Sequence, residues 1–383
     1  MPTDTWKEEL LVAEEQRVCL QAGLALMTVE PTEENAKAIV DLSAEMLGGF
    51  ISDRNFVDLL RLLQVALHRS GLNPEQLVDL REMLAAEYPV GEPVLNRELF
   101  RLLTYLNAEE VIPEAIAYLQ SDAAIEERLH VAMHLRFFKH EWTSAERFAI
   151  VRFFEESQLI NTGSSVPLYV MNVTRDITKG MGLEEAKIFV AQGAKWPNAA
   201  LVSLYRYPSK ISESDMQALI NLDQEIDKEG FEGEEYKRLR TGIVAMLTQF
   251  GSTEAMDYLR QIWIRSPERR QAVAMGLATQ PSDENFDYLV RSLPVLETYA
   301  VTEVLKTLLK IPAATDDPQA LRDVILLGLK LVEEGQSPTP AIKVLEYWTA
   351  ETLEGDEGNA MAGWQEWYAK KFPDLPAAEL PTL

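Results

Sequence analysis

Apolar residues recur at helical spacing along almost the whole chain, and no segment shows the strict alternation of a half-buried strand. Met256, Leu259 and Ile262 form one stripe, and Val301, Val304, Leu305 and Leu308 form another. Side chains three and four positions apart share a helix face, so these stripes predict amphipathic helices burying one side. Periodicity and breakers together predict roughly eighteen helices joined by short turns. Their starts are marked. Thr143-Ser144-Ala145-Glu146 reads as a capping box, and Ser212 with Asp215 reads as a box with a shorter acid. Asn73-Pro74-Glu75-Gln76 places a cap before a proline at the first helical position. Ser252 and Ser282 are expected to cap two further helices.

These last two starts belong to a repeat. Ser252-Thr253-Glu254-Ala255-Met256-Asp257-Tyr258-Leu259 is echoed by Ser282-Asp283-Glu284-Asn285-Phe286-Asp287-Tyr288-Leu289. Each copy runs into a second apolar segment and ends at a proline, Pro281 or Pro312. A third pair fits between Asp316 and Trp348, with a longer linker at Gly335-Gln336-Ser337-Pro338. An earlier pair, over 108–139, carries Val131-Ala132-Met133-His134-Leu135, which matches Val273-Ala274-Met275-Gly276-Leu277. Self-similarity at such a period signals stacked units, each too small to bury its apolar face alone. The expected fold is all-α, a right-handed α-solenoid of HEAT-like helix pairs without significant β-structure. Pro89-Val90-Gly91-Glu92-Pro93 is the expected boundary between an N-terminal helical section or cap (1–92) and the repeat array (93–372). Residues 373–383 read as a linker-like tail, lying over the last helices or trailing away. The stretch 162–181 breaks the rhythm, with Gly163, Gly180 and Gly182 around one helix.

Composition narrows the function classes. With 47% hydrophobic and 25% charged residues the chain can build a large core. A formal net charge of −25 repels phosphate backbones and anionic headgroups, so nucleic acid is not an expected partner. Basic islands at Lys237-Arg238-Leu239-Arg240 and over 265–270 fit solvated helix ends, where cations meet the negative pole. No apolar run reaches the roughly 20 residues needed to cross a bilayer, so membrane insertion is not expected either. Cys19 is the single cysteine, which leaves no intrachain disulfide, thiolate zinc cluster or C-x-x-C-H haem attachment. In an apolar-periodic helix it reads as a small buried residue. The first residues lack a basic segment followed by an apolar one, so they do not form a signal peptide.

One constellation could carry metal chemistry. His130 and His134 are four apart and share a helix face, with His140 a few residues on. Helical zinc sites present two imidazoles this way, and their catalytic version sets a glutamate directly after the first histidine, where Val131 stands here. A third ligand would come from His140, Glu126 or a neighbouring helix. The alternative function is therefore a metal-binding helical protein or metal-dependent hydrolase using His130, His134 and Glu126. The plainer expectation packs His130 into the array and leaves His134 at solvent near Arg136 and Lys139. No Gly-rich phosphate loop follows a strand, and no serine sits in a G-x-S-x-G elbow. Carboxylate pairs such as Glu14-Glu15, Glu33-Glu34 and Glu333-Glu334 read as solvated faces. Trp142, Phe153, Phe154, Trp196, Tyr205 and Tyr207 could hold a sugar ring or a partner's side chains if exposed. Core packing between helices is their more ordinary role.

Four runs carry a family resemblance. They are Leu95-Asn96-Arg97-Glu98-Leu99-Phe100-Arg101-Leu102-Leu103-Thr104-Tyr105-Leu106; Glu127 to Arg136 with Glu141-Trp142-Thr143 and Arg147; Asn172-Val173-Thr174-Arg175-Asp176; and Trp364-Gln365-Glu366-Trp367 continuing to Pro373. Together, over about residues 90 to 375, the chain resembles the HEAT-like helical segment of large exported proteins of planctomycete-type bacteria. In those proteins the segment lies beside β-propeller or dehydrogenase-like parts and a c-type haem domain. The resemblance implies one module of a larger exported, periplasmic protein, although neither a propeller nor a haem-attachment motif is present in the chain. Repeat architecture without a catalytic motif leads to the expected function: a non-catalytic scaffold or protein-interaction module. It would need no cofactor and would bind a protein partner or flanking domains of the same polypeptide.

Overall fold

The computed structural model describes residues 2–157, 166–208, 210–353 and 357–380. Among the described residues every regular element is helical: twenty-one α-helices and a few single 3₁₀ turns, with no strand. The all-α expectation is met, with a few more helices than the periodicity predicts, because short pieces such as Lys7–Leu11 carry too few residues to show a period.

The chain divides into two compact units, Met1–Met181 and Gly182–Leu383. The first holds α1 (Lys7–Leu11), α2 (Gln16–Val29), α3 (Glu33–Leu47), α4 (Asp53–Ser70) and α5 (Val78–Ala86). It continues with α6 (Pro93–Tyr105), α7 (Ile112–Leu119), α8 (Ile125–Leu135), α9 (Ser144–Ser157) and α10 (Val166–Ile177). Within it α2, α4, α6 and α8 stack in succession as one layer, while α3 lies on α5 and α7 on α9 in the other. Alternation of this kind lets each helix bury its stripe against its chain neighbour and against the helix after next. In α4 that stripe is Phe56, Leu59, Leu60, Leu62, Leu63, Ala66 and Leu67. Ser52 caps the start of α4 by accepting from Asn55 N at 3.3 Å, and left-handed Gly71 ends it.

The second unit holds α11 (Leu183–Ala191), α12 (Pro197–Leu204), α13 (Glu213–Glu229), α14 (Glu234–Phe250), α15 (Thr253–Arg265) and α16 (Arg270–Leu277). After these come α17 (Asp283–Ser292), α18 (Thr298–Leu308), α19 (Pro318–Glu333), α20 (Thr339–Thr349) and α21 (Glu357–Lys371). Here α12, α14, α16, α18 and α20 form one layer, and the pairs α11–α13, α15–α17 and α19–α21 form the other. A continuous apolar core runs through the unit, with Trp263, Trp364 and Tyr368 among its largest buried side chains.

The start signals differ in how they are used. Thr143 and Glu146 exchange reciprocal bonds, as do Ser212 and Asp215, so both boxes form. Ser252 accepts from Ala255 N at 3.1 Å, whereas Ser282 makes no side-chain cap bond. Ser282 sits at φ −143°, and the Asn285 N–H that it would satisfy is taken by its own carbonyl at 3.0 Å. Asn73 caps only the 3₁₀ turn Pro74–Gln76, and α5 begins later, at Val78.

The stretch 89–93 lies inside the first unit, where 89–92 end the short connection from α5 and Pro93 opens α6. The two units divide between Met181 and Gly182, within the glycine-marked break in the rhythm; Gly163 lies outside the described residues. Past α21, the carbonyls of Ala377 and Ala378 accept from Arg322 Nε at 3.0 Å and Gln365 Nε2 at 2.7 Å. The tail is thereby held against α19 and α21 as far as it is described. No helix among the described residues is long and apolar enough to cross a membrane.

Candidate functional site

The C-terminal ends of α4, α6 and α8 meet in the first unit around a cleft of about 680 Å³. Its size lies in the range of small-ligand and peptide-anchor pockets. Its lining joins His68 of α4, Arg101, Thr104 and Tyr105 of α6, His134 of α8, and Phe137 and Lys139 just beyond α8. Tyr105 and Phe137 are 49% and 57% exposed, so two aromatic faces stand at the rim instead of closing into the core.

The backbone explains why α6 stops there. Leu103 and Thr104 accept from Ala108 N (3.0 Å) and Asn107 N (3.1 Å), and Asn107 is left-handed at φ 53°. That is a Schellman ending with asparagine in the position glycine usually takes. The side chain justifies the choice: Asn107 Oδ1 accepts from Lys139 N at 2.7 Å, and Nδ2 donates to Glu109 Oε1 at 2.9 Å. One residue therefore ends α6 and fastens the segment that carries Phe137 and Lys139.

A second clamp holds the far side of that segment. His140 presents Nδ1 to Glu109 Oε2 at 2.9 Å and Nε2 to Glu146 Oε2 at 3.3 Å. Two carboxylates facing both ring nitrogens require both to carry protons. Burial alone would lower the His140 pKa, but the bonds to Glu109 and Glu146 outweigh it and hold it above the ordinary 6.5. Trp142 packs edge-on against the ring at 5.0 Å.

His130 and His134 behave oppositely. His130 Nε2 donates to the Arg97 carbonyl at 3.3 Å, and His134 Nδ1 donates to the His130 carbonyl at 2.7 Å. Burial pushes the His130 pKa down to about 4, helped by His134 and nearby Arg101 and Arg97. Burial also lowers that of His134, with Arg101 and Arg136 acting in the same direction. Both rings are neutral at neutral pH, and because a carbonyl only accepts, their tautomers are fixed. The bare lone pair is on Nδ1 of His130 and on Nε2 of His134. The rings lie against one another at 4.2 Å.

The structure thus pairs His130 with His134 but does not add a third ligand. Glu126 is exposed, and both nitrogens of His140 are engaged by Glu109 and Glu146. Among the described residues no group of three His, Cys, Asp or Glu side chains converges as a metal site would require. His134 lines the cleft instead of facing open solvent beside Lys139. Phe153, Phe154 and Trp196 are core residues, Trp142 is half-buried, and Tyr205 is exposed.

Arg101 stands in an uneven charge group. Glu98 is buried and accepts from Arg61 (3.3 Å), Gln64 (3.1 Å) and Arg101 (3.1 Å), so one carboxylate serves two guanidinium groups. Among the described residues the Lys139 side chain pairs with Glu75 alone, at 3.8 Å and with both side chains open to water. Such a contact is worth little. The roles of Arg101, Tyr105, Asn107 and Phe137 are not legible as motifs in the sequence: Arg101 and Tyr105 lie in a run that marks packing positions, and Asn107 and Phe137 belong to no motif. A signal was available in the unused correspondence of Leu102-Leu103-Thr104-Tyr105-Leu106-Asn107 with Met246-Leu247-Thr248-Gln249-Phe250-Gly251. No family model matches the chain, and comparison with curated proteins finds no match.

Proposed function

We propose that the chain is a helical-repeat interaction module that binds a segment of a partner protein, without catalysis of its own. The observation that carries this is the cleft at the ends of α4, α6 and α8, with Tyr105 and Phe137 held at its rim by Asn107 and His140. Rigid aromatics at a rim, backed by pinned loops, suit the anchoring of a partner's side chains at low entropic cost. A small-molecule site would enclose most of its ligand, whereas these rings remain half open. The resemblance to HEAT-like segments of exported proteins favours the same reading and supplies the setting, a module beside other domains of one polypeptide.

Selection of a random peptide-display library on the folded chain tests the proposal. The expected result is a reproducible consensus whose binding is lost when Tyr105 and Phe137 are both changed to Ala. Selections that yield no consensus, or one indifferent to those substitutions, would overturn it.

A further inference from the structure

We propose that the cleft accepts an acidic peptide segment in which an aromatic side chain packs on Tyr105 and Phe137 and a neighbouring carboxylate pairs with Arg101. The inference rests on the module reading and adds the chemistry of the ligand.

Three observations converge on it. The first is charge. Arg61 and Arg101 share the single carboxylate of Glu98, whose oxygens are also met by Gln64, so the group carries one uncompensated positive charge. Arg101 is the member that lines the cleft. A carboxylate arriving there forms a charge-assisted pair without first displacing an equal partner. Lys139 supports it, since its side-chain pairing with Glu75 is long and exposed. In a chain of net charge −25 this is a local inversion of sign: the lining joins Arg81, Arg101 and Lys139 with one carboxylate, Glu75, and so favours an acidic segment.

The second is the aromatic pair at the rim. Arg136 already lies over the Phe137 ring at 4.6 Å, so that face is engaged by a cation and the remaining surface suits an aromatic or apolar side chain. The third is His134. Its fixed tautomer leaves a bare Nε2, and a ring kept neutral by burial does not repel a donor. A peptide N–H or tyrosine hydroxyl can donate to it, which an anion without an O–H, such as chloride or sulfate, cannot do.

Fluorescence anisotropy on the full chain tests this with four labelled peptides: one tyrosine flanked by glutamates, and versions with glutamine for glutamate, lysine for glutamate, or alanine for tyrosine. The first should bind saturably and weaken with added salt, and the other three should bind at least about tenfold more weakly. Arg101→Ala should lower affinity for the first peptide about tenfold, with Arg101→Lys in between, while the glutamine version should be indifferent to both. Circular dichroism of each variant checks that the fold persists. Equal or tighter binding of the lysine peptide, or an Arg101→Ala chain that is folded and binds undiminished, would overturn the proposal. If peptide display yields a cleft-dependent consensus lacking acids, the ligand class fails and the module reading stands. If it yields no cleft-dependent consensus, both fail.

Discussion

The helix trio α6–α7–α8 of the first unit and the trio α14–α15–α16 of the second are built to one pattern and finished differently. Glu114-Ala115-Ile116-Ala117-Tyr118-Leu119 in α7 corresponds to Glu254-Ala255-Met256-Asp257-Tyr258-Leu259 in α15. Thr104 and Thr248 each return a hydroxyl bond to the carbonyl four residues back, and Asn107 and Gly251 are both left-handed. Val131, Ala132 and Leu135 are buried as Val273, Ala274 and Leu277 are. At the seam between the paired helices the difference is His134 against Gly276. A methyl added at Gly276 would collide with Thr248 Oγ1, so α16 closes directly onto α14. An imidazole cannot occupy such a place, and in the first unit Thr104 and His134 line open space. A closed seam is worth packing energy; an open one leaves a cleft.

The two regions also treat charge differently. In the second unit Asp223 is almost fully buried and accepts from Arg240 (2.9 Å), Arg269 (2.7 Å) and Tyr258 (2.8 Å). Burial would raise its pKa, but the two arginines hold it below the ordinary value. The Arg269 bond ties the turn before α16 to α13, and both Asp223 oxygens and the Nη atoms of Arg269 are paired inside the unit, while Arg269 Nε is buried without a hydrogen bond of its own among the described residues. In the first unit, Arg101 and Lys139 face the cleft with incomplete partners.

The largest effect should come from breaking the closed network. Asp223→Ala strands the buried Arg269 guanidinium and leaves Arg240 with Asp227 alone, and should cost about 3–5 kcal/mol in chemical denaturation. Arg101→Ala should cost under about 1 kcal/mol, since its pair is partly exposed. Comparable costs would erase the contrast between the two regions. The seam is tested next: Gly276→Ala should destabilise by about 1–3 kcal/mol through overpacking. Adding Thr248→Ala should recover most of that loss if the hydroxyl is the obstacle; thermal melts would show it. A smaller effect is expected at Asn107. Asn107→Ala should cost about 1–2 kcal/mol from the left-handed backbone, and Asn107→Gly should remove that part while still loosening the segment around Lys139.

The smallest and most diagnostic effect is the pH dependence of the first unit. His140 binds its proton more tightly when folded, so its contribution is complete below about 6.5 and is lost as pH rises through its raised value. His130 and His134 are held neutral, so the unfolded chain takes up their protons first and stability falls as pH drops from about 6.5 towards 4. Glu109, stabilised chiefly by His140, and Glu146, by Thr143 and His140 against desolvation, add to the acid loss below the ordinary carboxylate value. Stability should therefore peak between these limbs. His140→Gln should flatten the alkaline limb and soften the carboxylate part of the acid limb while leaving the part due to His130 and His134, and NMR titration should find His130 neutral down to about 4. An imidazole of His140 that titrates at or below 6.5 would contradict the clamp.

The sequence by itself determined the helices, their approximate starts and the repeat, because periodicity of 3.6 residues and capping chemistry are local properties. It also marked His130 and His134 as sharing a face. It could not say which way their lone pairs point, since that depends on which carbonyls approach them from Arg97 and from His130 itself. Nor did local signals decide that Ser282 would leave its cap unmade, that Asn107 would fasten Lys139, or that Glu98 would be shared by two arginines. Those outcomes rest on contacts between residues about thirty to forty apart, or on backbone angles set by packing. A helix stripe records that a face is buried, and only the stacked neighbours decide whether the seam it meets is sealed by a glycine or held open by an imidazole.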